Sequence, residues 1–216
     1  MSHRNPCRRP SRWTMKLFRA SLLLLAALAA ACASGQQAPA NPADDWCRAA
    51  ITDLTRAQHA WYEKDKAQGH DDAWMLTTPN PPIDDARIQA AEHRLGVRFD
   101  NQFKEWLRHA DGWRFFSGAD SLFPVEEISP DSTPAQNLRA FLRSGEFTPA
   151  QIGVDSFDQL IVVGGTDDGA SFIALRAATD TENESAPVYT FGHGDFEKHD
   201  SFRTFIQNEV DLLEQQ

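Results

Sequence analysis

The residues with the clearest potential for metal chemistry lie near the C-terminus. Histidine and carboxylate side chains occupy every second position of one short segment, namely His193, Asp195, Glu197 and His199. Successive side chains of a β-strand point to opposite faces, so these four would share one face, and zinc accepts such ligands. The intervening glycines weaken a strand, and a polar stretch before a helix is typical of a solvated loop. We therefore predict no metal site, with a metal-dependent enzyme as an alternative.

A glycine-rich segment at residues 164–169 (GGTDDG) invites comparison with phosphate-binding loops. It lacks their Gly-Lys-Ser/Thr ending, and no helical pattern follows it. Apolar residues at 160–163 and 171–175 flank it instead, which is typical of two strands joined by a tight turn. The segment therefore predicts a β-hairpin, and we expect no cofactor.

Signatures of a nucleophilic enzyme are absent from the sequence. It contains no Gly-x-Ser-x-Gly elbow and no His-Glu-x-x-His pair. Cys47 lies beside Trp46 on a predicted helical face, which favours a structural role over a nucleophilic one. Carboxylates are abundant, but neighbours in sequence point to opposite faces of a strand and form no catalytic pair. We predict no catalytic residue and a protein that is not an enzyme.

The densest aromatic run is Trp113-Arg114-Phe115-Phe116. Aromatic rings dominate both protein cores and the centres of protein interfaces. The favoured interpretation is core contact between a helix and the sheet. A binding hot spot for a protein partner is the alternative.

Length and charge exclude whole classes of function. The chain has 216 residues, 41% of them hydrophobic, and a formal net charge of −10. This composition suits one domain with a real core and excludes full disorder. An acidic chain lacks the clustered Lys and Arg that phosphate backbones require, so nucleic acid is not an expected partner.

Residues 1–31 have the composition of an export signal. Basic residues precede the ten-residue apolar run 22–31. That run is too short to cross a bilayer, which takes about 20 residues. Small residues and then Cys32 follow, as in a bacterial lipobox, where the thiol is lipidated. An ordinary secretory signal cut near Ala31 or Ala33 is the alternative, and Met15 is a second possible start.

Removal of this signal makes the chain more acidic. Residues 1–31 hold six of the 21 basic residues and no acidic one, so the charge falls from −10 to about −16. We therefore expect a protein partner with a basic face, and contact with the membrane only through the lipid anchor. Only Cys47 remains as a thiol once Cys32 is acylated, so no internal disulfide is expected.

The mature chain reads as a linker, a helix and one folded domain. Residues 32–43 have the small, polar, proline-containing composition of a flexible linker, and 44–67 show the apolar spacing of a helix. Helical patterns then alternate with strand patterns over residues 80–216, the strands lying at 122–128, 160–163, 171–175 and 187–191. This order predicts an α+β fold, a mainly antiparallel sheet with helices at both ends.

Several spaced motifs recur in a characteristic order over about residues 80–214. They are Ile88-x-x-Ala91-Glu92-x-x-Leu95-Gly96, Phe103-x-x-Trp106-Leu107, Asp111-Gly112, the strand–turn–strand 161–175 and Phe202-x-x-Phe205-Ile206. This arrangement resembles the SUKH superfamily of cell-wall-synthesis regulators and toxin-immunity proteins. The resemblance implies a binding protein without catalytic activity. Bacterial members mostly neutralise toxins, and fungal members help to regulate cell-wall assembly.

The resemblance and the export signal together predict where the protein acts. We expect an immunity protein on the periplasmic side of the bacterial envelope, as an outer-membrane lipoprotein, directed against a toxin that attacks peptidoglycan or lipid. An envelope scaffold or regulator of cell-wall synthesis is the first alternative. A metal-dependent envelope enzyme that uses the 193–199 segment is the second.

The residues expected to bind the toxin follow from charge and turn placement. Carboxylates on one face would meet a basic active-site cleft, with one aromatic anchor beside them: Glu126, Glu127, Asp167, Asp168 and Trp113. The predicted mechanism is occlusion of the toxin. Long-range attraction would speed the encounter and weaken with salt, while the buried aromatic contact would set the dissociation rate.

Overall fold

The computed structural model describes residues 45–179 and 185–216. The predicted leader, the lipidation site Cys32 and the linker at 32–43 lie outside these residues. Within the described ranges, none of the helices combines the length and apolar character needed to span a bilayer.

Six α-helices and six strands follow one another in the described part of the chain. The helices are α1 (Trp46–Ala67), α2 (Asp85–Leu95), α3 (Asn101–Leu107), α4 (Thr133–Phe141), α5 (Pro149–Ile152) and α6 (Phe202–Gln215). The strands are β1 (Trp113–Ser117), β2 (Asp120–Leu122), β3 (Leu160–Gly165), β4 (Ser171–Arg176), β5 (Val188–Gly192) and β6 (Asp195–His199). Short 3₁₀ turns lie at Ala73–Met75 and Phe157–Gln159, and a π-helical turn follows α4 at Leu142–Glu146.

The strands form one antiparallel sheet in the order β1-β2-β3-β4-β5-β6. Each strand pairs with the strand that is next in sequence, although a long connection with α4 and α5 separates β2 from β3. Helices precede and follow the sheet along the chain, which confirms the predicted α+β fold. The hairpin predicted around residues 164–169 is formed by β3 and β4, with Ile161 opposite Leu175.

Both faces of the sheet are covered, because the central strands are apolar on both sides. In β3, Leu160 and Val162 join the core beside α4, whereas Ile161 and Val163 join the core shared with α1, α2, α3 and α6. Side chains alternate between the faces of a strand, so a continuous apolar run fills two cores at once. This explains why the sequence of β3 begins with four consecutive apolar residues.

Side-chain caps fix the helix starts that the sequence indicates. The Asp84 carboxylate accepts from the Arg87 N–H at the start of α2, and Asp100 accepts from Gln102 and Phe103 at the start of α3. Ser201 accepts from the Thr204 N–H before α6. Each cap satisfies N–H groups that have no partner within their own helix.

The prediction of a strand at residues 122–128 is wrong beyond Leu122, where β2 ends. Phe123 N still donates to Val163 O, but Pro124 has no N–H. The Val125 N–H then donates a hydrogen bond to Asp111 Oδ1 at 2.7 Å, and not to a neighbouring strand. The chain therefore leaves the sheet after Leu122 and continues as a loop.

Gly164 of β3 lies close to the backbone of β2, and it supplies a stability test. A Cβ at this position would lie 2.4 Å from the backbone oxygen of Ser121 in β2. We expect Gly164→Ala to lower the free energy of unfolding by about 2 kcal/mol, since the backbone must shift. Urea unfolding measures the effect. Gly192→Ala is the matched control, because its Cβ would meet nothing closer than 3.4 Å; equal midpoints for the two variants would contradict the prediction.

Candidate binding surface

Asp167 and Asp168 lie in the exposed turn between β3 and β4, where they differ in role. Asp167 Oδ2 accepts from Arg114 Nη2 of β1 at 2.6 Å, and both side chains remain largely exposed. Asp168 instead accepts from the Ala170 N–H within the turn. Its pKa lies below the usual value because Thr166 and this N–H stabilise the charged form. Asp168 thus orders the turn, while Asp167 is held only by a surface ion pair, which contributes at most about 1 kcal/mol.

Glu126 and Glu127 lie in the loop that replaces the predicted strand. Glu126 pairs with Arg87 of α2, and the same guanidinium lies 3.5 Å from Asp111 Oδ2. Glu127 is exposed, and its N–H donates to Pro124 O. Asp111 therefore holds both the loop backbone, through Val125, and the arginine that Glu126 contacts.

The two acidic pairs contact different partners but border the same segment of chain. Glu126 contacts the cation beside Asp111, and Asp167 contacts Arg114. Asp111 and Arg114 are three residues apart, so their Cα atoms are separated by at most about 11 Å. The two acidic pairs therefore contact groups at or beside the two ends of the short segment 111–114.

Trp113, the predicted aromatic anchor, lies in the core. Its exposed fraction is 0%, and its indole Nε1 donates to Thr77 Oγ1 at 3.0 Å. A side chain with no exposed surface cannot contact a partner while the domain is folded. The core interpretation of the 113–116 run therefore applies to Trp113, and the anchor must be sought elsewhere.

A pair of aromatic rings, one exposed and one half-buried, lies beside the Arg114–Asp167 ion pair. Trp74, on the 3₁₀ turn after α1, is 48% exposed. Its ring meets Phe115 edge-to-face, with 5.0 Å between ring centroids. Its Nε1 donates to Asp72 Oδ1 at 2.8 Å. The Arg114 guanidinium covers the Phe115 ring at 4.7 Å. We call Asp72, Trp74, Arg114, Phe115 and Asp167 the aromatic–acidic patch.

Phe115 occupies an unusual backbone conformation. Its φ is +54°, in the left-handed region that a bulky residue rarely adopts. Neighbouring groups hold it there: its N–H donates to Ser121 Oγ, and its carbonyl accepts from Gln58 of α1. Strain of this kind costs about 1–3 kcal/mol and is found at functional sites more often than elsewhere. The sequence pattern did not point to Trp74, and it pointed to Phe115 only as part of the 113–116 run.

The segment considered for metal binding does not form a ligand set. His193 lies in the turn between β5 and β6, with a φ of +53°, outside the strand that holds the other three residues. His199 is buried against Phe205, and Asn208 Nδ2 lies 3.0 Å from its Nδ1. In residues 45–179 and 185–216, no three acidic, histidine or cysteine side chains converge as a metal site would require.

Glu209 of α6 is a carboxyl group with a shifted pKa beneath the sheet. Burial raises its pKa to about 7, and the charges of Asp120 and Glu197 add to this effect. A hydrogen bond from Ser117 acts in the opposite direction. The pKa of Asp120 is also raised by burial. Crowded carboxylates favour the protonated form, so this end of the sheet is sensitive to pH.

Cys47 lies on the inner face of α1 with no exposed surface. Burial raises the pKa of its thiol, and the nearby carboxylates of Glu105 and Asp45 act in the same direction. A thiol that resists ionisation is a poor nucleophile. Its role here is to pack.

Comparison with known proteins identifies the fold. The family model described as the SMI1 / KNR4 family (SUKH-1) matches residues 82–208, more than half of the chain. No curated protein matches the chain. The matched family is generally a non-catalytic binding fold, compatible with toxin immunity or cell-wall regulation. From the match and the antiparallel α+β architecture, we conclude that this chain belongs to the SMI1/KNR4 (SUKH-1) family.

Proposed function

We propose that the protein is an exported, lipid-anchored immunity protein that binds and neutralises a toxin acting in the cell envelope. It acts on the periplasmic side, attached to the outer membrane through Cys32. The observation that carries the proposal is the aromatic–acidic patch, an exposed binding surface in a family whose members bind toxins. Exposed aromatic residues ringed by charge are typical of protein interfaces.

The composition of the leader supports the compartment. A basic start, a ten-residue apolar run and a cysteine after small residues are the features of a lipoprotein signal. A nuclease would not be the target of a protein outside the cytoplasm. A toxin that attacks peptidoglycan or lipid fits this compartment, because it meets its substrate there.

The proposed mechanism is blockade of the toxin's active site by charge and shape. The mature chain carries a charge of about −16, which attracts a basic cleft over long range and speeds the encounter. The Arg114–Asp167 pair is exposed, so it is weak and its carboxylate can exchange partners. Association should therefore slow as ionic strength rises.

A protection assay tests the proposal. The first step is to search the genes beside this chain for a secreted effector, which is then directed to the periplasm of a susceptible host as the toxin. We expect the full-length chain to restore growth, and a leaderless chain that begins at Ala33 to fail, because it stays in the cytoplasm. Cys32→Ser with the leader intact separates anchoring from export. Equal protection by the leaderless chain would contradict the proposal. A wall defect in cells that lack the chain and meet no toxin would favour the scaffold instead.

A further inference from the structure

We propose that Trp74 is the anchor of the partner interface, and that its indole face receives a lysine or arginine side chain of the partner, with Asp72 as the counter-charge. This inference deepens the proposed function and rests on it for the partner's identity. The class of group that is bound follows from the surface itself.

Exposure distinguishes Trp74 from the other large apolar side chains. Among the described residues, Trp74 and Leu212 are the two exposed large hydrophobic side chains, at 48% and 49%. Leu212 lies on α6, away from the aromatic–acidic patch. Trp74 has Phe115 and a carboxylate as its neighbours. An exposed tryptophan in such a setting is the commonest kind of interface hot spot.

The indole is held in place before any partner arrives. Its N–H is held by Asp72 and its ring by the edge-to-face contact with Phe115, and the next residue, Met75, is buried in the domain. A fixed side chain loses little rotamer freedom on binding, so more of the contact energy is retained as affinity. The strained backbone of Phe115 contributes to this fixed geometry.

The same surface already contains the proposed recognition geometry within the chain. Arg114 lies over the Phe115 ring at 4.7 Å, and its guanidinium pairs with Asp167. Trp74 and Asp72 repeat this combination of an aromatic ring and a carboxylate. No cation from residues 45–179 or 185–216 lies over the Trp74 ring. Tryptophan is the best ring for cation–π contact, so the exposed surface of this indole fits a basic side chain from outside.

Charge around the ring favours a cation over an aliphatic group. Asp71 lies beside Asp72 and accepts from the Tyr62 hydroxyl, and Asp168 lies in the turn next to Asp167. Lys66 stacks on Tyr62, and Arg114 is already paired with Asp167. The carboxylates are therefore in excess, which complements a basic surface on the partner.

A peptide titration tests the inference without the toxin. The probes are a short capped peptide of alternating glycine and arginine and its counterpart with glutamate. NMR signals of the tryptophan indoles report the site. We expect the arginine peptide to shift the Trp74 signal most, and Asp72→Asn to weaken binding by about threefold or more. No shift at Trp74, or the same shift with the glutamate peptide, would overturn the inference.

The toxin supplies the second test. We expect Trp74→Ala to weaken its binding at least about thirtyfold, as hot-spot truncations do. Leu212→Ala is the matched control, because it removes an equally exposed apolar side chain outside the patch. Phe115→Gly is a second variant, which removes the ring that contacts Trp74. Glycine is chosen because it accepts the positive φ of this position without strain. Urea unfolding of all three variants verifies that they are folded.

The outcomes separate the two proposals. If the natural chain protects cells and Trp74→Ala binds the toxin equally well, the inference is wrong and the proposed function stands. If the natural chain gives no protection, the proposed function is wrong, and the peptide titration alone decides whether Trp74 receives a basic side chain.

Discussion

Trp113→Ala is expected to lower the free energy of unfolding by about 3–5 kcal/mol, enough to leave much of the protein unfolded. The indole has no exposed surface, so its removal leaves a large cavity between the sheet and its helices. The change also leaves Thr77 Oγ1 without the indole donor. Urea or thermal unfolding followed by circular dichroism measures the loss.

The matched control is Trp74→Ala, which removes the same side chain from an exposed position. Because Trp74 is 48% exposed, we expect this substitution to cost less than about 1 kcal/mol. We therefore expect substitution of Trp113 to change mainly stability and substitution of Trp74 to change mainly binding. Comparable losses at both positions would contradict the assignment of Trp113 to the core and of Trp74 to the surface.

Stability is expected to fall as pH rises between about 4.5 and 7, through Glu209. Its pKa is raised from the usual 4.5 to about 7 in the folded chain, chiefly by burial. Over this interval the folded state keeps a proton that the unfolded state has lost, so folding is penalised progressively more. The full effect is at most about 3 kcal/mol above pH 7, at 1.36 kcal/mol per pH unit.

Glu209→Gln isolates this contribution from the other titrating groups. Glutamine stays neutral at every pH and can still accept from Ser117. We expect the variant to match the natural chain near pH 4 and to be more stable at pH 8, with the difference growing across the interval. Urea midpoints of both chains at several pH values provide the measurement. A difference that is constant with pH would show that Glu209 titrates normally.

Local physical signals were sufficient to predict most of the architecture. The β3–β4 hairpin follows from two apolar runs around a glycine-rich turn, and α2 follows from its cap at Asp84 and its left-handed Gly96. These signals lie within a few residues of each other. The antiparallel pairing of β3 with β4 then follows, because a short connection allows little else.

The β1–β2 hairpin and the exposure of Trp74 depend on distant contacts and could not be predicted in this way. Phe115 adopts a positive φ that its residue type disfavours, held by Gln58 of α1, 57 positions away. Burial of Trp113 and exposure of Trp74 are likewise tertiary outcomes. One sequence pattern could have indicated Trp74. It is a large aromatic residue next to aspartates in a polar, proline-rich stretch, where large apolar side chains are unusual.

The first helix lies outside the 82–208 family match, yet its inner face is part of the same hydrophobic core. Tyr62, whose hydroxyl meets Asp71, is sixteen residues along α1 from Trp46, a rise of about 24 Å. The chain then turns through the 3₁₀ turn that holds Trp74, so the exposed indole follows the end of α1 that is farthest from Trp46.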